Sequence, residues 1–252
     1  MKRNVLESAN LEAVSLSAWR FGRTHPKTAI RIPGLLLAGL LLFAGCGESE
    51  QQSSTKEEPS GATPAILFLG DSLTAGLGLE KYQAAPALIQ EKIDARGWKI
   101  EVINGGVSGD TTAGGLSRLD FYFKNRKNIA FLVIGLGSND GMRGIGPGEI
   151  RSNLNAIVDR AREHNPDIVI FLYELMTFPN MGPQYASDFQ KIFPEVARKQ
   201  NLHLIAFPLQ GVAGKEDLNQ KDGIHPTVEG TKIMAANIWK DLEPVLENRV
   251  KN

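Results

Sequence analysis

The chain reads as an α/β protein, a three-layer α/β/α sandwich around a central five-stranded parallel sheet. Two observations carry that expectation. From residue 65 onward, short apolar runs rich in Ile, Val, Leu and Phe alternate with helical patterns, the order that builds parallel βα units. The run Phe131-Leu132-Val133-Ile134 is apolar on both faces, as a central strand covered by helices on both sides must be. At 252 residues the chain is long enough for one sizeable domain or at most two small ones.

In order, strands are expected over 65–69, 100–104, 129–135, 168–172 and 202–207. Helices are expected over 85–96, 112–125, 148–164, 185–200 and 227–248. Pro194 interrupts the fourth helical pattern, so a kink or break is expected there. No internal repeat is evident, and one domain over 65–252 accounts for these elements.

The first 64 residues read differently. Residues 1–31 hold six basic and two acidic side chains and lead into an apolar run, 32–45, that ends at Cys46. A run of about 14 apolar residues is too short for a bilayer, which needs roughly 20, but suits the core of a signal peptide. The small pair Ala44-Gly45 before the chain's only cysteine resembles the bacterial lipoprotein box, in which that cysteine becomes the lipidated mature N-terminus. Phe43 departs from the Leu usual in that box, and an ordinary secretory signal with an incidental cysteine is the alternative. Residues 47–64, rich in Ser, Glu and Gln, cannot bury enough surface to order themselves. The expected division is therefore a removed signal peptide at 1–45, a disordered tether at 46–64 and a globular domain at 65–252. A bacterial envelope location, with membrane attachment through lipidated Cys46, follows from that reading.

Charge excludes other classes. The 28 basic and 28 acidic residues balance, so nothing suggests nucleic-acid binding, and the part beyond residue 45 carries a net charge of −4. One cysteine excludes an internal disulfide. No HExxH motif or Cys/His cluster points to a metal, and no cofactor is expected. Nothing assigns an oligomeric state; a monomer is the expectation.

In parallel α/β sheets ligands bind at the carboxyl ends of the strands, near the point where strand order reverses. The polar residues just past those ends are Asp71-Ser72, then 105–110, then Ser138-Asn139-Asp140, and later Asp222 and His225. Ser72 sits where a rigid strand gives way to a turn, a good position for a nucleophile but also for a helix N-cap. A neutral hydroxyl needs a base. Of the four histidines, His25 lies in the expected signal, His164 at a helix end and His203 at the start of a strand, which leaves His225. Asp222, three residues earlier on a Gly- and Pro-constrained loop, is placed to accept from one ring nitrogen and leave the other for the serine proton. A surface turn capping the last helix is the plainer reading of that loop. Gly109 and Asn139 are candidate oxyanion donors, with Ser72 N–H as a third. The plainer readings are a βα turn with Asp110 as N-cap and a loop Asn bonded to its own backbone.

Gly70-Asp71-Ser72-Leu73, Gly109, Gly137-Ser138-Asn139-Asp140 and Asp222-x-x-His225 together resemble the four blocks of the SGNH (GDSL-type) hydrolases, in that family's order, over about residues 65–247. The longer strings at 108–116, 136–144 and 222–226 are similar to bacterial multifunctional acylhydrolases with thioesterase, lysophospholipase and arylesterase activity. Ser138 departs from the Gly often found there. The resemblance implies the flavodoxin-like SGNH fold and a serine esterase cleaving esters or thioesters of a small-molecule or lipid substrate. It implies Ser72 as nucleophile, His225 as base, Asp222 as its orienting acid, and Ser72, Gly109 and Asn139 as oxyanion donors. Asp71 then structures the loop. Met142, Phe178 and Met181 are candidates for substrate contact, on Gly- and Pro-rich segments after the third and fourth strands. Segment 141–147 is expected either to close over an acyl chain or to be a plain connection. A carbohydrate O-acetylesterase is the alternative enzyme, and a non-catalytic lipid- or glycan-binding lipoprotein the alternative class.

Overall fold

The computed structural model describes residues 62–177 and 179–251. The expected signal peptide, Cys46, most of the tether and Phe178 lie outside the described residues. Five strands form one parallel sheet: β1 (Ala65–Gly70), β2 (Glu101–Gly106), β3 (Ile129–Gly135), β4 (Val169–Tyr173) and β5 (His203–Ile205), in the order β2-β1-β3-β4-β5. Order reverses between β1 and β3, so the loops leaving those two strands diverge and open a crevice. β1 is buried along its whole length and β3 along nearly all of it, which explains why both read as continuous apolar runs.

Among the described residues seven α-helices join and cover the sheet: α1 (Ser72–Ala75), α2 (Ala85–Ala95), α3 (Thr112–Asn125), α4 (Ser138–Met142), α5 (Pro147–His164), α6 (Pro183–Gln200) and α7 (Val228–Lys251). Parallel crossovers are right-handed. The β1→β2 crossover therefore lays α2 on one face, while crossovers running the other way lay α3, α5 and α6 on the opposite face. The packing agrees: α2 contacts α7, α5 contacts both α3 and α6. Phe131 and Phe171 from the sheet and Phe189 and Phe193 from α6 are among the largest fully buried side chains. Each such side chain contributes about 1.5–3 kcal/mol by burial.

Two expectations need correcting. β5 spans only three residues, because the chain leaves the sheet after Ile205 and Phe207-Pro208-Leu209 instead line a cavity. Of the kink or break expected at Pro194, the break does not occur: α6 continues through it. The proline forfeits one backbone bond, and the buried stripe Phe189, Ile192, Phe193, Val196 and Ala197 outweighs that loss.

Glycines end β2, β1 and β3 in register, Gly70 facing both Gly106 and Gly135. A Cβ at Gly70 would collide with Thr74, and one at Gly106 with the backbone of Ala75. Bare backbone there lets the single turn of α1 sit on the strand ends, which sets the position of Ser72.

Candidate active site

Ser72 is the first residue of α1. Asp71 caps that turn, its Oδ1 accepting from the Leu73 N–H at 3.0 Å, and Gly76 closes it in the left-handed region, donating to the Ser72 carbonyl at 3.0 Å. The serine is thus held on a rigid strand end, mostly buried, and lines a cavity.

His225 arrives from 153 residues away on a loop pinned at both sides. An antiparallel bridge joins Asn219 to Pro226, the Gln220 N–H donates to the His225 carbonyl at 2.7 Å, and the Gln220 amide donates to the carbonyls of Leu77 and Pro226. Gln220 therefore ties this loop to the turn that follows Ser72, a connection invisible in the sequence. Asp222 Oδ1 accepts from the backbone N–H groups of Ile224 and His225 at 2.9 and 3.0 Å, and Oδ2 lies 2.6 Å from His225 Nδ1. His225 Nε2 lies 2.8 Å from Ser72 Oγ.

The tautomer follows from these partners. A carboxylate only accepts, so Nδ1 carries the proton and Nε2 presents a lone pair to the serine O–H. The two backbone N–H groups and the ring N–H hold the Asp222 carboxyl well down, at about 2, with the His225 backbone bond first among the causes. Asp222 is ionised at neutral pH and can stabilise a charged imidazole. The arrangement can move a proton from Ser72 to His225 and support the cation that results.

Asn139, on α4, is buried, and its amide donates to the Asp110 carbonyl at 2.9 Å and to Asp71 Oδ2 at 3.3 Å. It is not bonded to its own backbone. Gly109 has φ of +79°, a conformation glycine adopts freely, and its carbonyl accepts from Arg143 at 2.8 Å. Thr111, not Asp110, caps α3, accepting from the Gly114 N–H. Asp110 is occupied instead by Arg118, whose guanidinium also donates to the carbonyls of Gly70 and Gly105 and to the Tyr122 hydroxyl. That one side chain clamps the ends of β1 and β2. Asp140 accepts from Thr112 through both backbone and hydroxyl, joining α4 to the start of α3. Sequence reasoning missed Arg118 and Asp140 as site-shaping groups.

Burial is the main reason the Asp71 carboxyl is pushed up to about 6; the Leu73 N–H and the nearby His225 oppose it, while Asp110 adds to it. Burial, and then the charge of Asp71, also raise the Tyr173 hydroxyl above its usual value.

A cavity of about 420 Å³ opens beside Ser72 and Asn139. Its walls are largely apolar and include the exposed Met142 together with Leu175, Phe207, Leu209 and Met234. Of the expected substrate contacts, Met142 lines it. Met181 does not: it belongs to a single 3-10 turn, Pro179–Met181, with its methyl group near Gly144. Segment 141–147 is bonded rather than loose. The Ile145 N–H donates to the Asp140 backbone carbonyl, and the Ile145 carbonyl accepts from the Tyr185 hydroxyl.

Residues 68–233 match the model of the GDSL-like Lipase/Acylhydrolase family. This chain belongs to that family. The GDSL-like domain is 37% identical over 185 residues to Esterase TesA of Pseudomonas aeruginosa, covering 73% of this chain and 90% of the relative. It is 32% identical over 187 residues to the Thioesterase 1/protease 1/lysophospholipase L1 of Escherichia coli K12, covering 74% and 87%. It superposes with a TM-score of 0.68 on the esterase EstA from Pseudoalteromonas, a crystal structure inhibited by monoethylphosphonate, at 33% identity and covering 73% of this chain and 98% of that one. The GDSL-like hydrolase described here is accordingly an ester-cleaving acylhydrolase, with the five-stranded α/β fold of its relatives.

Proposed function

We propose that this acylhydrolase works through a covalent acyl-enzyme on Ser72. Ser72 Oγ bonds to the carbonyl carbon of the ester or thioester while its proton passes to His225 Nε2. The tetrahedral oxyanion is held by the Ser72 and Gly109 N–H groups and the Asn139 amide. Collapse breaks the bond to the leaving alcohol or thiol, which takes the proton from His225. Water then repeats the sequence on the acyl-enzyme, giving the carboxylic acid and restoring Ser72. Asp222 keeps the imidazole in the right tautomer and offsets its transient charge.

The observation that carries this reading is the continuous Ser72–His225–Asp222 hydrogen-bond chain, at 2.8 and 2.6 Å. The apolar cavity beside it supports an acyl chain as the group bound, rather than a sugar. The basic start, the apolar run 32–45 and Cys46 support a lipid-anchored protein of the bacterial envelope. Ser72→Ala should abolish turnover of p-nitrophenyl esters while far-UV circular dichroism stays unchanged; near-normal turnover would remove Ser72 from the mechanism. Activity rising from acetyl to octanoyl esters supports the acyl-chain reading, and release of acetate from acetylated glycans with poor longer-chain activity supports an O-acetylesterase instead. Radiolabelled palmitate should enter the full-length protein in a bacterial host and be lost in Cys46→Ser.

A further inference from the structure

We propose that Asp71 is a positioning residue for ester cleavage, one carboxylate holding both the turn that carries Ser72 and the Asn139 amide. The proposal rests on the reading of Asn139 as an oxyanion donor. Asp71 is 1% exposed, and each oxygen has a different partner: Oδ1 takes the Leu73 N–H of α1 at 3.0 Å, Oδ2 takes the Asn139 amide of α4 at 3.3 Å. Its loop and that of Asn139 leave the adjacent strands β1 and β3, which end side by side at Gly70 and Gly135. The carboxylate is the bridge between them, made by residues 68 positions apart.

The orientation of the Asn139 amide follows. Both neighbours of Nδ2, the Asp110 carbonyl and the Asp71 carboxylate, can only accept, so the nitrogen must face them and the amide plane is fixed. Its two N–H groups then differ. One is fully engaged at 2.9 Å with Asp110. The other, on the longer bond to Asp71, is the one free to be shared with a developing oxyanion, since Asp71, Ser72 and Asn139 line the same cavity. Oxyanion donors act by being aimed before charge develops, so loosening the aim raises the barrier without weakening ground-state binding.

Only a side chain that accepts on both sides satisfies position 71, because Leu73 and Asn139 both present donors. Asn accepts on one side and turns an N–H₂ group against the other donor. Ser still caps α1 but is one bond too short to reach Asn139. Steady-state kinetics with p-nitrophenyl butyrate on the full chain, for Asp71→Asn, Asp71→Ser, Asn139→Ala and Asp71→Ser/Asn139→Ala, test this. Both Asp71 variants should lose roughly 10- to 100-fold in kcat with KM within about twofold. In the Asn139→Ala background Asp71→Ser should cost no further kcat beyond about twofold. Wild-type kcat in Asp71→Ser, or its full loss recurring in the double variant, overturns the proposal while leaving Asn139 as a donor. An unchanged kcat in Asn139→Ala overturns the donor reading itself. If the donor clash prevents Asp71→Asn from folding, Asp71→Ser, with its cap intact, carries the test alone.

Discussion

Replacing Asp71 by Asn should flatten the pH dependence of stability. In the wild type this carboxyl is buried against Ser72 and Asn139 and pushed up from 3.8 to about 6. The native state therefore binds the Asp71 proton more tightly than the unfolded chain does. Stability from this group is full below pH 3.8 and is lost as pH rises through 6. A tenfold change in proton affinity is about 1.4 kcal/mol, so the ionised carboxylate costs the native state about 3 kcal/mol, of which about 2 kcal/mol accrues between pH 4.5 and 8. Asn does not titrate. The donor it turns toward Leu73 or Asn139 lowers the variant's stability at every pH, so the quantity that isolates the carboxyl is the difference in slope. Urea unfolding of wild type and Asp71→Asn at half-unit steps between pH 4.5 and 8 measures it. The variant should gain about 2 kcal/mol relative to the wild type across that range. Parallel curves would refute the burial argument, because a carboxyl with an ordinary proton affinity in the native state contributes no such slope.

Other outcomes follow from the same contacts. Asp222→Asn should lower kcat on the order of 10³- to 10⁴-fold with little change in KM, because the ring loses the acceptor that fixes its tautomer; a loss under tenfold would mean His225 is oriented by its loop alone. Arg118→Met should lower stability by about 3 kcal/mol in urea unfolding, since the Gly70 and Gly105 carbonyls and the Asp110 carboxylate lose their donor together. A change under 1 kcal/mol would show that water replaces the guanidinium. Leu209→Trp should cut kcat/KM for decanoyl esters at least tenfold relative to butanoyl esters, and equal losses for both would move the acyl chain out of this cavity.

What the sequence disclosed and what it concealed divide along physical lines. The expected spans for β3 and α3 coincide with the observed ones, because the first is apolar on both faces and the second has a threonine cap at its start. β5 reads as longer than it is, since Phe207 and Leu209 are as apolar as strand residues yet serve the cavity. Ser72 and Asn139 stand out as polar residues just past apolar runs, His225 as the histidine left once the other three are placed, and Asp222 by its position three residues before it on a constrained loop. Arg118 does not: on an amphipathic helix it looks like one more solvated cation, and its partners lie up to 48 residues away. Nor does the sequence reveal that Asp71 reaches Asn139, a contact set by strand order rather than spacing. Met181 illustrates the opposite error, an apolar residue after a strand end that turns to a neighbouring loop instead of the cavity.

The central claim is that Ser72 carries the acyl group. Intact-mass and peptide mass spectrometry after treatment with an alkyl phosphonate ester tests it most directly. A single phosphonyl adduct per chain is expected, on the peptide containing Ser72, with esterase activity lost in proportion and no adduct in Ser72→Ala. An adduct on any other residue, or full activity in a chain whose Ser72 is modified, would contradict it.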